Sequence, residues 1–188
     1  MKKAISLSLL LLSSTYGYGD IVGAKFGGDV WATKDHGTAG SIYAQIEHPV
    51  PLLPNVALRA TGFEGDKDGF NTADAYGYYE ILDNSLVSVD LGAGLHRIDG
   101  SDHYDATLPM VIADLELLPN NDLSFYARAS YGRGSDDTVK DVAAGARVEL
   151  FLAVYLQAGY RQYTVETDGS HAQSDKIKGF TAGVHLDI

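Results

Sequence analysis

Two polar segments of the chain hold residues that could do hydrolytic chemistry. Ser101, Asp102 and His103 are consecutive, and Ser170 is followed by His171. A hydrolase needs a serine and a histidine within hydrogen-bond reach, and an acid that orients the imidazole. Adjacency in a segment does not supply that geometry, and these residue types are common in loops. We therefore expect no enzymatic activity, and a lipid-modifying outer-membrane enzyme is the second alternative function.

Metal and cofactor chemistry has little support in the sequence. The acidic segments 66–69 and 135–137 could offer oxygen ligands to calcium, but neither completes an EF-hand loop. No two histidines have the spacing of metal ligands on one strand face. The chain has no cysteine, which excludes disulfides, thiolate metal sites and a lipoprotein anchor. We predict no metal and no cofactor.

A third group of residues carries charges of both signs at positions that share one face of predicted strands. A charged residue left unpaired in a narrow interior is costly, so we expect its cations to be paired. The predicted charge network comprises Lys25, Glu47, Arg59, Glu80, Asp90, Asp114, Glu116, Arg128, Arg147, Glu149, Arg161 and Asp187.

The elements that position these residues are strands, since apolar residues alternate with polar ones and no amphipathic helical period is found. In the fifth strand, positions 87, 89, 91, 93 and 95 are apolar, and the residues between them are polar or glycine. The predicted strands are 20–32, 41–49, 56–65, 75–83, 86–98, 106–117, 123–133, 139–150, 153–166 and 177–188.

The links between these strands alternate in character. Those after odd-numbered strands are long, polar and charged, and those after even-numbered strands are shorter or resemble turns. This asymmetry is typical of an outer-membrane barrel with both termini in the periplasm. We predict an all-β fold, an antiparallel up-and-down transmembrane β-barrel of ten strands; a soluble sandwich or lipocalin-like cup is the alternative.

Both ends of the chain fit export to the outer membrane. Residues 1–19 read as a secretory signal peptide, with a basic start, a short apolar run and a small-x-small cleavage site. Residues 20–188 are then the barrel domain. The last strand alternates to the end of the chain, and Gly183, Leu186 and Ile188 are the predicted insertion signal for the barrel assembly machinery.

The net charge of −11 argues against nucleic acid as a partner, because phosphate binding needs clustered basic residues. We expect a monomer whose partners are outer-membrane lipid and lipopolysaccharide.

Four segments, 47–56, 78–84, 87–92 and 158–163, resemble a family of small proteobacterial outer-membrane β-barrel proteins of uncharacterised function. The similarity covers nearly the whole mature chain in the same order. Members of that family usually end in Phe, whereas this chain ends in Ile188. The resemblance implies a Gram-negative cell-envelope barrel and no particular activity.

We expect a structural or surface-interaction protein that acts through acidic outer loops. The first alternative is a narrow porin-like pore, weakly cation-selective because its lumen would carry an acidic excess. Six tyrosines on the predicted lumen side favour a filled interior over an open channel. Trp31, the only tryptophan, is expected in the aromatic girdle at the lipid boundary, with the top of the lumen as the alternative.

Overall fold

The computed structural model describes residues 22–34, 37–50, 52–64, 70–100, 105–119, 122–167 and 173–188. The predicted signal peptide lies outside these residues. Ten strands form: β1 (Gly23–Thr33), β2 (Thr38–Glu47), β3 (Asn55–Glu64), β4 (Phe70–Asp83), β5 (Val87–Gly100), β6 (Asp105–Leu117), β7 (Leu123–Arg133), β8 (Asp137–Phe151), β9 (Val154–Thr167) and β10 (Gln173–Asp187). Each predicted strand overlaps one observed strand.

The strands form a closed barrel in which every neighbouring pair is antiparallel and follows chain order. β1 closes the barrel against β10, with Lys25 opposite Asp187. The last residue completes this seam: Ile188 N–H donates to Ala24 O at 2.9 Å, and Ala24 N–H donates to Ile188 O at 2.8 Å. The predicted ten-stranded antiparallel up-and-down barrel is confirmed. Within the described residues, no helix is long and apolar enough to cross a membrane.

The two ends of the barrel differ less than predicted. At one end, here called the loop end, the links are 34–37, 65–69, 101–104, 134–136 and 168–172. At the other, the turn end, they are 48–54, 84–86, 118–122 and 152–153. The prediction of long loops at one end was wrong, because β4, β5 and β10 continue into segments that had been assigned to loops.

The tight link between β8 and β9 has the backbone of a two-residue hairpin turn without glycine. Leu152 has φ of 31° and Ala153 has φ of 66°. Two-residue hairpins favour positive φ at both central positions, because that geometry matches the strand twist. Alanine adopts this conformation at a cost that glycine does not pay. The link is therefore an ordinary two-residue hairpin, although its sequence contains no residue typical of turns.

The outer surface carries a band of outward-facing apolar side chains, here called the apolar belt, with members on all ten strands; most are exposed, and Val87 and Val89 are half-buried. On β5 it runs from Val87 to Leu95, which spans about 20 Å along the barrel axis for a strand tilted by about 40°. The belt comprises Phe26, Val30, Ile42, Ile46, Val56, Leu58, Tyr79, Leu82, Val87, Val89, Leu91, Leu95, Val111, Leu115, Leu117, Leu123, Phe125, Tyr131, Val142, Val148, Leu156, Tyr160, Phe180 and Val184.

Toward the loop end, apolar and polar residues exchange faces on several strands, while the residues that point inward keep the same parity. On β9, Tyr160 is exposed and Arg161 buried, whereas four residues later Val165 is buried and Glu166 is half-exposed. The same change occurs on β8, β5 and β10. The barrel is thus apolar outside and polar inside near the turn end, and polar outside and apolar inside near the loop end.

Candidate functional site

A cluster of buried apolar side chains, here called the aromatic plug, lies inside the barrel at the loop end. Its four large rings contact one another, with centroid separations of 5.5 Å for Trp31 and Phe63, 4.5 Å for Phe63 and Phe70, and 5.8 Å for Phe70 and Tyr163. Nine of the ten strands contribute to it, all except β7. The plug comprises Trp31, Ala39, Phe63, Phe70, Ile98, Leu108, Val139, Tyr163, Val165 and Ile177.

Trp31 belongs to this plug and not to an outer girdle. Its side chain is fully buried, and the Arg161 guanidinium lies over its ring at 4.9 Å from the centroid. On β1 it occupies the same face as Lys25 and Asp29, whose side chains line the lumen cavity. The preference for a girdle position was wrong, because an aromatic residue near a strand end was taken to face outward regardless of its parity.

A buried relay of three polar side chains lies against the plug. His96 Nδ1 is 2.5 Å from Asp74 Oδ1, and His96 Nε2 is 3.0 Å from the Tyr163 hydroxyl. All three side chains are buried. The arrangement satisfies these polar groups of the core, and all three side chains are largely inaccessible to solvent.

The next layer of the lumen is centred on Arg161. Its guanidinium makes a bidentate pair with Asp141, with contacts of 2.9 Å, 3.1 Å and 2.6 Å. It also donates to Ser41 Oγ at 2.9 Å and to Thr61 Oγ1 at 3.2 Å. Five contacts from β2, β3 and β8 therefore converge on one side chain of β9, and this layer ties the barrel wall together across the lumen.

Further ion pairs lie in the lumen between this layer and the turn end. Arg128 pairs with Asp114 at 2.6 Å, and Arg147 pairs with Glu116 at 2.9 Å. At the turn end, Lys25 Nζ lies 2.6 Å from Glu47 Oε1. Four of the five predicted lumen cations are thus paired with carboxylates, as we expected.

The fifth cation, Arg59, is held differently. Its guanidinium lies 5.1 Å from the centroid of the Tyr43 ring, and its Nε has no hydrogen-bond partner among the described residues. The Tyr43 hydroxyl in turn hydrogen-bonds His185 Nδ1 at 2.7 Å, so that histidine has a partner in the lumen. Among the described residues, no carboxylate forms an ion pair with Arg59, and its side chain lines an open space in the lumen.

That space is a cavity of about 70 Å³, room for several water molecules. Four cations and four carboxylates line it, so its wall has no acidic excess, and the charge argument for a cation-selective channel does not hold for this segment. The lining residues are Lys25, Asp29, Tyr43, Gln45, Arg59, Ser88, Asp90, Asp114, Leu115, Glu116, Tyr126, Arg128, Arg147, Gln157 and His185.

The remaining predicted network residues sit at the turn-end mouth. Glu80 is exposed and accepts a hydrogen bond from Asn55 at 3.1 Å. Glu149 is half-buried opposite Tyr155, and Asp187 is half-buried opposite Lys25. Together with Glu47, these carboxylates give the turn-end mouth an acidic character.

Two essential carboxylates were missing from the predicted network. Asp141 has the same parity on β8 as Arg147, so alternation alone could have assigned it to the lumen. Asp74 lies just before the predicted start of its strand at residue 75, and the observed strand begins at Phe70. The first omission had a signal in the sequence, whereas the second followed from a strand boundary.

Several predicted candidates cannot be placed. Ser101–His103, Ser170–His171 and the acidic segment 66–69 lie outside the described residues. Within the described part of the chain, no group of three or more His, Cys, Asp or Glu side chains could hold a metal ion.

Comparisons with known proteins add little. No protein-family model matches the chain, and no curated protein matches it. The crystal structure of Neisserial surface protein A (NspA) is similar to the chain at 14% sequence identity, covering 90% of this chain and 99% of that one with a TM-score of 0.39. The suggested proteobacterial family is therefore not confirmed, and the fold assignment rests on the strand pairing.

Proposed function

We propose that this protein is an integral outer-membrane β-barrel without catalytic activity, whose lumen is closed and whose role is structural or surface-interacting. The apolar belt is the observation that carries the proposal. A soluble barrel buries its apolar face, whereas this one exposes apolar side chains on every strand and keeps charged ones inside. Backbone closure satisfies the other requirement of a lipid-facing sheet, because a closed barrel has no unpaired edge.

The dimensions of the belt support membrane insertion. A spanning β-strand needs about 9 to 11 residues at a tilt near 45°. On β5 the belt from Val87 to Leu95 has this length, and Arg97 is the first outward charge above it. We place the turn end, where both ends of the barrel domain lie, in the periplasm, and the loop end outside the cell.

The aromatic plug supports a closed barrel over the pore alternative. Trp31, Ile98, Val139, Tyr163 and Ile177 are each no more than 2% exposed, so these side chains are packed against one another and against the wall, which favours a closed lumen over an open pore. The ion pairs between the plug and the turn end likewise have both partners in the barrel wall.

The proposed insertion signal comprises Gly183, Leu186 and Ile188. Ile188 also hydrogen-bonds Ala24 at the β1–β10 seam.

The test is to refold residues 20–188 into detergent and into planar bilayers. We expect heat-dependent gel mobility, as a folded barrel resists unfolding by detergent at room temperature, together with no reproducible ion current. Stable current steps would favour the pore. Absence of the heat shift would refute membrane insertion as a closed barrel.

A further inference from the structure

Four lysines cluster on the outer wall of the barrel just beyond the apolar belt; we call them the lysine patch. Lys140 lies on β8, Lys176 and Lys178 lie on β10, and Lys34 follows β1. The strands β8, β9, β10 and β1 are consecutive neighbours in the barrel. Lys34 N–H donates to Lys178 O at 3.0 Å, so the patch continues across the closing seam.

The strand register brings the lysines together. Lys140 and Lys176 are both opposite Thr164, one from each side of β9. Two strand spacings separate their Cα atoms by about 10 Å, and Lys176 and Lys178 are about 7 Å apart along β10. Lysine side chains are long and flexible enough for ammonium groups at these spacings to meet on one doubly charged headgroup.

The patch lies at the level where the outer surface changes from apolar to polar. Lys140 is directly opposite Tyr131, and Lys178 is two residues from Phe180, which packs edge-on against Tyr160 at 5.4 Å. Aromatic residues of membrane barrels occupy the interface between acyl chains and headgroups. A lipid whose chains cover Tyr160 and Phe180 would therefore present its headgroup to the lysines.

Neighbouring charges leave the patch positive. Lys140 pairs with Glu166 at 3.1 Å, but both side chains are more than 40% exposed, and such pairs are weak. Among the described residues, no ion pair involves Lys34, Lys176 or Lys178. On the wall opposite, the outward Arg97 is matched by Asp105 at 2.6 Å.

We propose that the lysine patch binds the phosphate groups of a phosphorylated glycolipid of the outer leaflet, whose acyl chains pack on Tyr160 and Phe180. The partner is the lipid A portion of lipopolysaccharide, since it combines paired phosphates with saturated chains. This proposal rests on the proposed membrane insertion and orientation. It assigns a lipid-binding face to a barrel whose lumen is closed.

The test uses the refolded barrel domain in a maltoside detergent. Native mass spectrometry measures the fraction of protein that retains diphosphorylated lipid A, and a phosphate-free lipid A with the same chains serves as the comparison lipid. The test variant combines Lys140→Gln, Lys176→Gln and Lys178→Gln. The combined Lys→Arg variant at the same positions keeps the charge, and Arg97→Gln removes one outward charge from the opposite wall.

Each lysine near an anionic lipid surface contributes about fivefold in affinity, so we expect a loss of about 100-fold for the triple Gln variant at low ionic strength. The Lys→Arg variant and Arg97→Gln should bind diphosphorylated lipid A within about threefold of the unaltered protein. The phosphate-free lipid should bind all four proteins alike.

Equal binding of diphosphorylated lipid A by the triple Gln variant and the unaltered protein would overturn the proposal, as would an equal loss with the phosphate-free lipid. The heat-dependent gel shift of every variant separates this failure from failure of the proposed function. If the shift persists while the lipid result is negative, the barrel stands and the lysine patch has no lipid role.

Discussion

Arg161→Met is expected to destabilise the barrel strongly. Methionine is about as long as the apolar stem of arginine, so the substitution keeps the stem and removes the guanidinium. Asp141 is 6% exposed and would lose its bidentate partner, with three contacts of 3.1 Å or less. An uncompensated buried charge of this kind costs about 3–5 kcal/mol. Ser41 and Thr61 lose less, because their hydroxyls lie 3.1 Å apart and can hydrogen-bond each other.

Removing both charges should be much less costly than removing one. In the combined Arg161→Met and Asp141→Leu variant no charge of the pair is left behind, and replacement of a buried ion pair by apolar residues is often close to neutral. Asp29 and Asp74 also interact electrostatically with Arg161. We therefore expect the double variant to lose about 1–2 kcal/mol, less than Arg161→Met alone.

The assay is urea-induced unfolding in lipid vesicles, followed by the fluorescence of Trp31, the only tryptophan of the chain. Because Arg161 lies over that ring, gel mobility provides a second measure of the folded fraction. Arg97→Met is the matched control: its partner Asp105 is 68% exposed, so the loss should stay below about 1 kcal/mol. A loss below about 1 kcal/mol for Arg161→Met would refute the reasoning. So would a double variant whose loss equals the sum of the losses measured for Arg161→Met and Asp141→Leu separately.

Three further predictions address the plug, the belt and the turn. Phe63→Ala combined with Phe70→Ala should produce ion current in a planar bilayer where the unaltered protein is silent, because it removes two contacting rings of the aromatic plug; a silent variant that still shows the heat shift would contradict this. Leu91→Arg, at the middle of the belt on β5, should cost about 2–4 kcal/mol in the same urea titration, whereas Asn71→Arg, outward near the loop end, should cost less than about 1 kcal/mol. Ala153→Gly should raise the free energy of unfolding by about 1 kcal/mol, since φ is 66° there, and an unchanged value would show that the turn carries no strain.

The closed barrel was predictable because the alternation of apolar and polar residues shows which face of each strand is apolar. The pattern is regular from Val87 to Leu95 on β5 and from Leu123 to Tyr131 on β7, and antiparallel pairing of successive strands then leaves few topologies. The charge network was predictable for the same reason, and four of its five cations have carboxylate partners in the structure. Partner identity was not predictable, because it depends on the stagger between strands.

The aromatic plug was not predicted, because the apolar residues of each strand were assumed to face outward along its whole length. On β10, Ile177 is buried inside the lumen while Phe180 is 73% exposed on the outer wall, although both are apolar. The distance between them, three residues, places them on opposite faces. If alternate residues are kept on the same face to the end of each strand, Trp31, Val139 and Val165 fall on the lumen face. The sequence therefore indicates that the lumen becomes apolar toward the loop end.

The exchange of apolar and polar faces follows from the two environments, lipid and water, that the outer wall would face in a membrane. Within the membrane the hydrophobic effect gives no reason to bury apolar side chains in the lumen, so ion pairs such as Arg161 with Asp141 can hold the interior together. Beyond the membrane the wall meets water, and burying Trp31, Phe63 and Phe70 removes apolar surface from it. Under the proposed insertion, the positions where apolar and polar faces exchange, marked by Tyr131, Lys140 and Lys178, give the height of the lipid boundary. The lysine patch lies at that height, and strand parity directs its side chains outward, away from the lumen.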